Sequence, residues 1–258
     1  MDRILIQALL DAVERGEPVV LATVIDTARS VPRHAGSKML VFADGSTLGT
    51  IGGGEMEARV VSEALAALRD GKPRLLHYQL VDPRSGDPGI CGGEVDLYLE
   101  PHMPTPTLFV IGCGHVGKAV IELAHWLGFR TVAYDDRPEI ADSDDLPRAD
   151  VVLSGPITLA LESSPISPET HVVLLTRNMK VDLELLPVLL ATHARTIGVM
   201  GSKRRWETTR EELRNRGIDT SRLDRVLSPI GVELQAETPQ EIALSVLAQI
   251  IGIRRGAL

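Results

Sequence analysis

The glycine-rich stretch Val110-Ile-Gly-Cys-Gly-His-Val-Gly-Lys-Ala119 constrains the fold more than any other part of the chain. Leu108 to Ile111 is a short apolar run after the prolines at 104 and 106, and helix-compatible residues continue from the glycines to Trp126. That is the pattern of strand, turn and helix. Gly112 allows a tight turn, Gly114 lets a phosphate approach the backbone, and Gly117 lets helix and strand pack closely, with an anion held at the helix N-terminus. A second apolar run, Phe129 to Tyr134, ends in Asp135-Asp136, where a dinucleotide site places its acidic ribose-binding residue. The spacing therefore predicts a nucleotide-type site, with His115 either facing the ligand or serving a capping or packing role.

The chain on either side follows two different patterns. From 108 onward strands alternate with helices: Leu108–Ile111, helix His115–Leu127, Thr131–Tyr134, Val151–Ser154, His171–Thr176, helix Asp182–Ala191 and Thr196–Met200. Such alternation predicts an α/β domain with a parallel sheet covered on both faces. Helices are also expected over about Arg205–Arg216 and over Pro239–Ile253, the latter opened by Thr238 with Glu241 three residues on. The first hundred residues instead read as mixed α+β. A helix over Asp2–Glu14 precedes a strand over Pro18–Ile25 and a hairpin of Lys38–Phe42 with Thr47–Ile51. A helix over Glu55–Arg69 and strands over Leu75–Leu80 and Val95–Leu99 complete it. Prolines at 101, 104 and 106 mark Glu100 to Thr107 as the linker, giving an N-terminal α+β domain over 1–104 and a Rossmann-like domain over 105–258. With 258 residues, 44% hydrophobic and only 3% aromatic, the two cores must be mostly aliphatic.

The formal charge of −8 argues against nucleic acid or an anionic membrane surface as partner. The N-terminus lacks a basic segment followed by an apolar core, and no apolar run approaches the roughly 18 residues needed to span a bilayer, so a cytoplasmic protein without membrane insertion is expected. The two cysteines form no disulfide framework and are expected as free thiols. Seven dispersed histidines lack metal-ligand spacing, so no metal site is predicted. P-loop and nucleophile-elbow motifs are missing as well.

Several further loops carry candidate ligand groups. Gly201, Ser202, Lys203, Arg204 and Arg205 follow the strand ending at Met200 and are either a second anion site or a solvated basic turn. In the first domain Arg33 and Lys38 are candidate partners of an anionic ligand, and the glycine run Gly52, Gly53 and Gly54 permits close backbone approach. Glu55 and Glu57 either reach a ligand or complement the dipole of the helix they open. Cys91 lies in the glycine loop Gly89-Ile-Cys-Gly-Gly-Glu94, where a thiolate would suit sulfur or soft-metal handling; the alternative is a small packed hydrophobe. Cys113 reads as a filler of the central turn.

Taken together, the motifs S-V-P-R-H-A-G-S-K-M-L-V, G-T-I-G-G-G-E-M-E, I-C-G-G-E-V-D-L-Y-L-E-P, V-I-G-C-G-H-V-G, D-D-R-P-E, G-V-M-G-S-K-R-R and S-P-I-G with T-P-Q-E-I-A resemble the XdhC/CoxI family of xanthine dehydrogenase accessory proteins over nearly the whole chain. The resemblance implies an N-terminal α+β domain joined to a Rossmann-like domain. It further implies a factor that binds and protects molybdenum cofactor (molybdopterin), assists its sulfuration by a separate cysteine desulfurase, and inserts it into an apo molybdenum hydroxylase of the xanthine dehydrogenase type. Cys91 becomes the candidate contact for the cofactor or its sulfur, and Arg33, Lys38 and the Gly52 to Gly54 loop become candidate pocket residues. The chain departs from the family at T-R-N-M-K-V-D, which keeps Asp182 but lacks the histidine commonly found before it. A homodimer is the expected assembly. The alternative reading is an NAD-binding oxidoreductase using Gly112 to Gly117 with Asp135 or Asp136.

Overall fold

The computed structural model describes residues 3–81, 88, 89, 91–141, 146 and 148–258. Asp2, expected to begin the first helix, and Ile90, beside Cys91, lie outside the described residues. The chain forms two compact units, Met1–Pro104 and Thr105–Leu258.

In the first unit, α1 (Arg3–Arg15) precedes β1 (Val19–Ala28), β2 (Lys38–Phe42), β3 (Thr47–Gly49), α2 (Gly54–Asp70), β4 (Arg74–Gln79) and β5 (Glu94–His102). The strands make one antiparallel sheet in the order β3-β2-β1-β5-β4. Strand alternation divides β1 between two small cores. Val20, Ala22 and Val24 pack with Met56, Val60 and Ala64 of α2, whereas Val19 packs with Leu40 and with Leu5 and Ala12 of α1. Each valine, leucine or methionine among them contributes about 1.5–3 kcal/mol on burial, and each alanine less. The expected linker is shorter than its prolines suggest, because β5 runs through Pro101, paired with Val20 of β1. Its other neighbour, β4, stops pairing at Leu99, so Pro101 stands on an edge where a missing N–H is tolerated.

The second unit begins with β6 (Thr107–Ile111), α3 (His115–Trp126), β7 (Arg130–Asp135), α4 (Pro138–Ala141) and β8 (Val151–Ser154). It continues with α5 (Ile157–Ser163), β9 (Thr170–Leu174), α6 (Met179–Leu190) and β10 (Thr196–Val199). α7 (Lys203–Asn215), α8 (Thr220–Leu223), β11 (Val226–Leu227) and α9 (Pro239–Arg255) complete it. Its sheet is parallel, in the order β11-β10-β9-β6-β7-β8. One face carries Phe109, Val132 and Val172 against Leu186 and Leu189 of α6. The other carries Val110, Ala133 and Val173 against Val120 of α3 and Val246 of α9. Thr238 caps α9 in a capping box with Glu241, and Asn178 starts α6 three residues before the expected Asp182 by accepting the Val181 N–H at 3.2 Å. The chain builds outward from β6 to β8, then returns to place β9 on the other side of β6. Ligands of such sheets bind outside the carboxyl ends of the strands, at that reversal of strand order.

Candidate functional site

The central turn sits at the reversal. Gly112 leaves β6 at φ +102° and donates its N–H to the Tyr134 carbonyl at 2.8 Å. A Cβ at Gly117 would lie 1.9 Å from the Gly112 carbonyl oxygen, so glycine is what lets α3 pack on the turn. Gly114 differs: it is the N-cap of α3, provides no side-chain cap, and a Cβ there would meet nothing within 4 Å. The first turn of α3 also lacks an acidic residue. Its leading N–H groups have no partner within the helix and face open space.

That space is a cavity of about 600 Å³ lined by Gly112, Gly114, His115 and Gly117 from the turn and by residues following β7, β9 and β10. His115 is exposed at the helix start. Cys113 is buried, its thiol pushed up to about 12 first by burial and then by the nearby Asp135 charge, so it stays protonated and packs. The expected ribose readers are both engaged. Asp135, 1% exposed, accepts the Cys113 N–H at 2.8 Å and two guanidinium N–H bonds from Arg137, at 2.9 and 3.0 Å. Asp136 accepts a two-point bond from Arg177 at 2.8 and 2.9 Å, which holds its carboxyl below the usual carboxylate range.

The remaining cations were less legible in the sequence. Lys118, one helical turn beyond Gly114, lines the cavity and has no carboxylate partner among the described residues. Arg205, grouped by sequence with the basic turn at 201–204, instead enters this cavity, its guanidinium bonded to fully buried Asp182 and to Thr176. Four cations (Lys118, Arg137, Arg177, Arg205) thus meet three carboxylates (Asp135, Asp136, Asp182), an excess of one positive charge. Gly201 and Lys203 line an adjoining cavity of about 470 Å³, and Met200 lines both. Ser202 caps α7 by accepting the Arg205 N–H at 3.2 Å, and Arg204 is exposed.

In the first unit the glycine loop is filled by the protein itself. One oxygen of Glu57 accepts the backbone N–H groups of Ile51 at 3.0 Å, Gly52 at 3.2 Å and Gly53 at 2.8 Å, besides the Thr50 hydroxyl. Burial alone would raise this carboxyl, but the bonds from Thr50, Gly53, Ile51 and Gly52 outweigh it and hold it below the usual range. The Gly52 and Gly53 amides, expected at a ligand, are therefore already bonded, while Gly54 begins α2. Glu55 forms an exposed pair with Arg59 one turn along the helix. Lys38 donates to the Thr23 hydroxyl at 2.9 Å, Arg33 is exposed, and Cys91 is an exposed free thiol.

Residues 108–250 match the XdhC Rossmann domain, and residues 12–79 match the XdhC and CoxI family. The chain belongs to the XdhC/CoxI family. It is 36% identical to the Escherichia coli (strain K12) protein YqeB over 95% of its own length and 45% of that protein. It is 28% identical to a probable xanthine dehydrogenase subunit of Bacillus subtilis (strain 168), over 62% of this chain and 46% of that one. The chain thus spans about half the length of these two relatives. The molybdenum cofactor insertion chaperone PaoD of Escherichia coli (strain K12) is 24% identical, with 98% of this chain and 88% of PaoD aligned. A crystal structure described as a xanthine dehydrogenase from Bacillus halodurans superposes with a TM-score of 0.53 at 25% identity, covering 100% of this XdhC/CoxI chain and 97% of that one.

Proposed function

We propose that this XdhC/CoxI chain is a maturation factor that binds molybdenum cofactor as cargo and delivers it to a xanthine dehydrogenase-type molybdenum hydroxylase. The observation that carries the proposal is the open, cation-rich turn at Gly112 to Gly117, in a chain that aligns along nearly its whole length with PaoD. The cofactor is a phosphorylated pterin. Its phosphate suits the free N–H groups at the start of α3 together with Lys118, and the wider cavity suits the ring system. Gly201 and Lys203, in the adjoining cavity, extend the same surface of the second unit.

Cys91 is proposed as the contact for the cofactor's sulfur, because its thiol is exposed and free to exchange with a desulfurase. Arg33, exposed in the same unit, is proposed as an anion partner. The NAD reading has less support, since Asp135 is buried on Arg137 and offers no free carboxylate to a ribose. A homodimer in the cytoplasm remains our working assembly.

The test is the ligand of protein purified from molybdopterin-producing cells. Mass spectrometry should find a pterin phosphate in the wild type and less of it in Gly114→Val, whose side chain would enter the open space without disturbing the fold. Cys91→Ala should keep the pterin yet fail to activate the client enzyme. Protein carrying no pterin, or carrying a nicotinamide dinucleotide instead, would contradict the proposal.

A further inference from the structure

The arginines of the cavity are not equally available to a ligand. Arg137 is fixed on a carboxylate that is 1% exposed, and Arg205 on one that is fully buried. Moving either would strand a buried charge. Arg177 and Asp136 are different, with side chains 44% and 39% exposed. Water screens an ion pair of that kind, and it opens at little cost. The two residues follow β9 and β7, the strands on either side of β6, so their pair bridges the loops that flank the glycine turn. Carboxylate and phosphate present the same two-oxygen edge to a guanidinium.

We propose that the ligand's phosphate displaces Asp136 from Arg177, so that Asp136 opposes binding and the site selects a phosphate dianion instead of a ribose diol. The inference rests on the phosphate site proposed above and adds the chemical group that is read there. A ribose-reading Asp136 would do the opposite: its removal would weaken binding.

Calorimetric titration of the full chain with inorganic pyrophosphate separates these outcomes. Asp136→Asn should tighten binding up to about fivefold, the ratio corresponding to an exposed ion pair. Arg177→Met should weaken it about tenfold or more, as loss of a charged hydrogen-bond pair does. The double variant should match Arg177→Met, because the gain from removing Asp136 requires a freed Arg177. Unchanged or weaker binding by Asp136→Asn overturns the exchange, as does a gain that persists in the double variant. A wild type that binds no pyrophosphate overturns the phosphate site beneath it instead, so the two failures are distinguishable.

Discussion

Two of the glycine turns that open helices in this molecule differ in the residue four positions past the helix cap. After Gly53 that residue is Glu57, which folds back onto the amides of Ile51, Gly52 and Gly53. After Gly114 it is Lys118, which leaves the first amides of α3 open and adds a positive charge beside them. Both turns gather backbone donors where a helix dipole favours an anion. One anion is supplied by the chain, the other is left for a ligand. Glycine spacing alone thus says where donors converge, and the charge one turn further along says whether they are free.

The largest test of this contrast is steric. Gly117→Ala places a methyl group against the Gly112 carbonyl oxygen, 1.9 Å from its ideal Cβ position, and should destabilise the second unit by about 3 kcal/mol or more in denaturant unfolding. Gly114→Ala should leave stability nearly unchanged, since its Cβ meets nothing within 4 Å.

Acid separates the two units next. His171, fully buried on β9 with Nδ1 2.9 Å from the Thr196 hydroxyl, has its pKa lowered from 6.5 to about 4 by burial and then by Arg195 and Arg254. The unfolded state takes up this proton first. Stability is therefore complete above pH 6.5 and declines as pH falls toward 4, by up to about 3 kcal/mol. His171→Gln should flatten that decline. Glu57 has a depressed pKa, so its contribution is present above the unfolded value of 4.5 and is lost as pH falls through its lower folded value. Amide protection, corrected for the intrinsic pH dependence of exchange, should accordingly begin to fall at a higher pH in the second unit than in the first.

Glu57→Ala should cost the first unit about 2 kcal/mol, because partly buried N–H groups lose their acceptor. The same change should create phosphate binding at Gly52 and Gly53. Lys118→Glu should likewise change stability by no more than about 0.5 kcal/mol, while weakening pyrophosphate binding at least tenfold.

Much of the fold was legible because its elements are long and periodic. The alternation after Thr107 predicts the parallel sheet, and the helix expected over His115–Leu127 is α3, His115–Trp126. Short elements escape such reading: α4 and α8 have 4 residues each and β11 has 2, too few to establish a period. The turn at 112–117 was legible because each glycine meets a separate steric demand. The engagement of Asp135 and Asp136 was not, since Arg177 meets Asp136 only across 41 residues of chain. Glu57 is expected from sequence either at a ligand or as a dipole partner, but its reach back to the loop amides depends on the path through Gly52, where φ is +142°.

The most direct measurement is a pyrophosphate titration of isotope-labelled protein, followed through its backbone amide resonances. Saturable shifts are expected at Gly114, His115 and Gly117, with Gly52 and Gly53 unmoved until Glu57 is replaced by alanine. Shifts at Gly52 and Gly53 in the wild type, with none at Gly114, would contradict it.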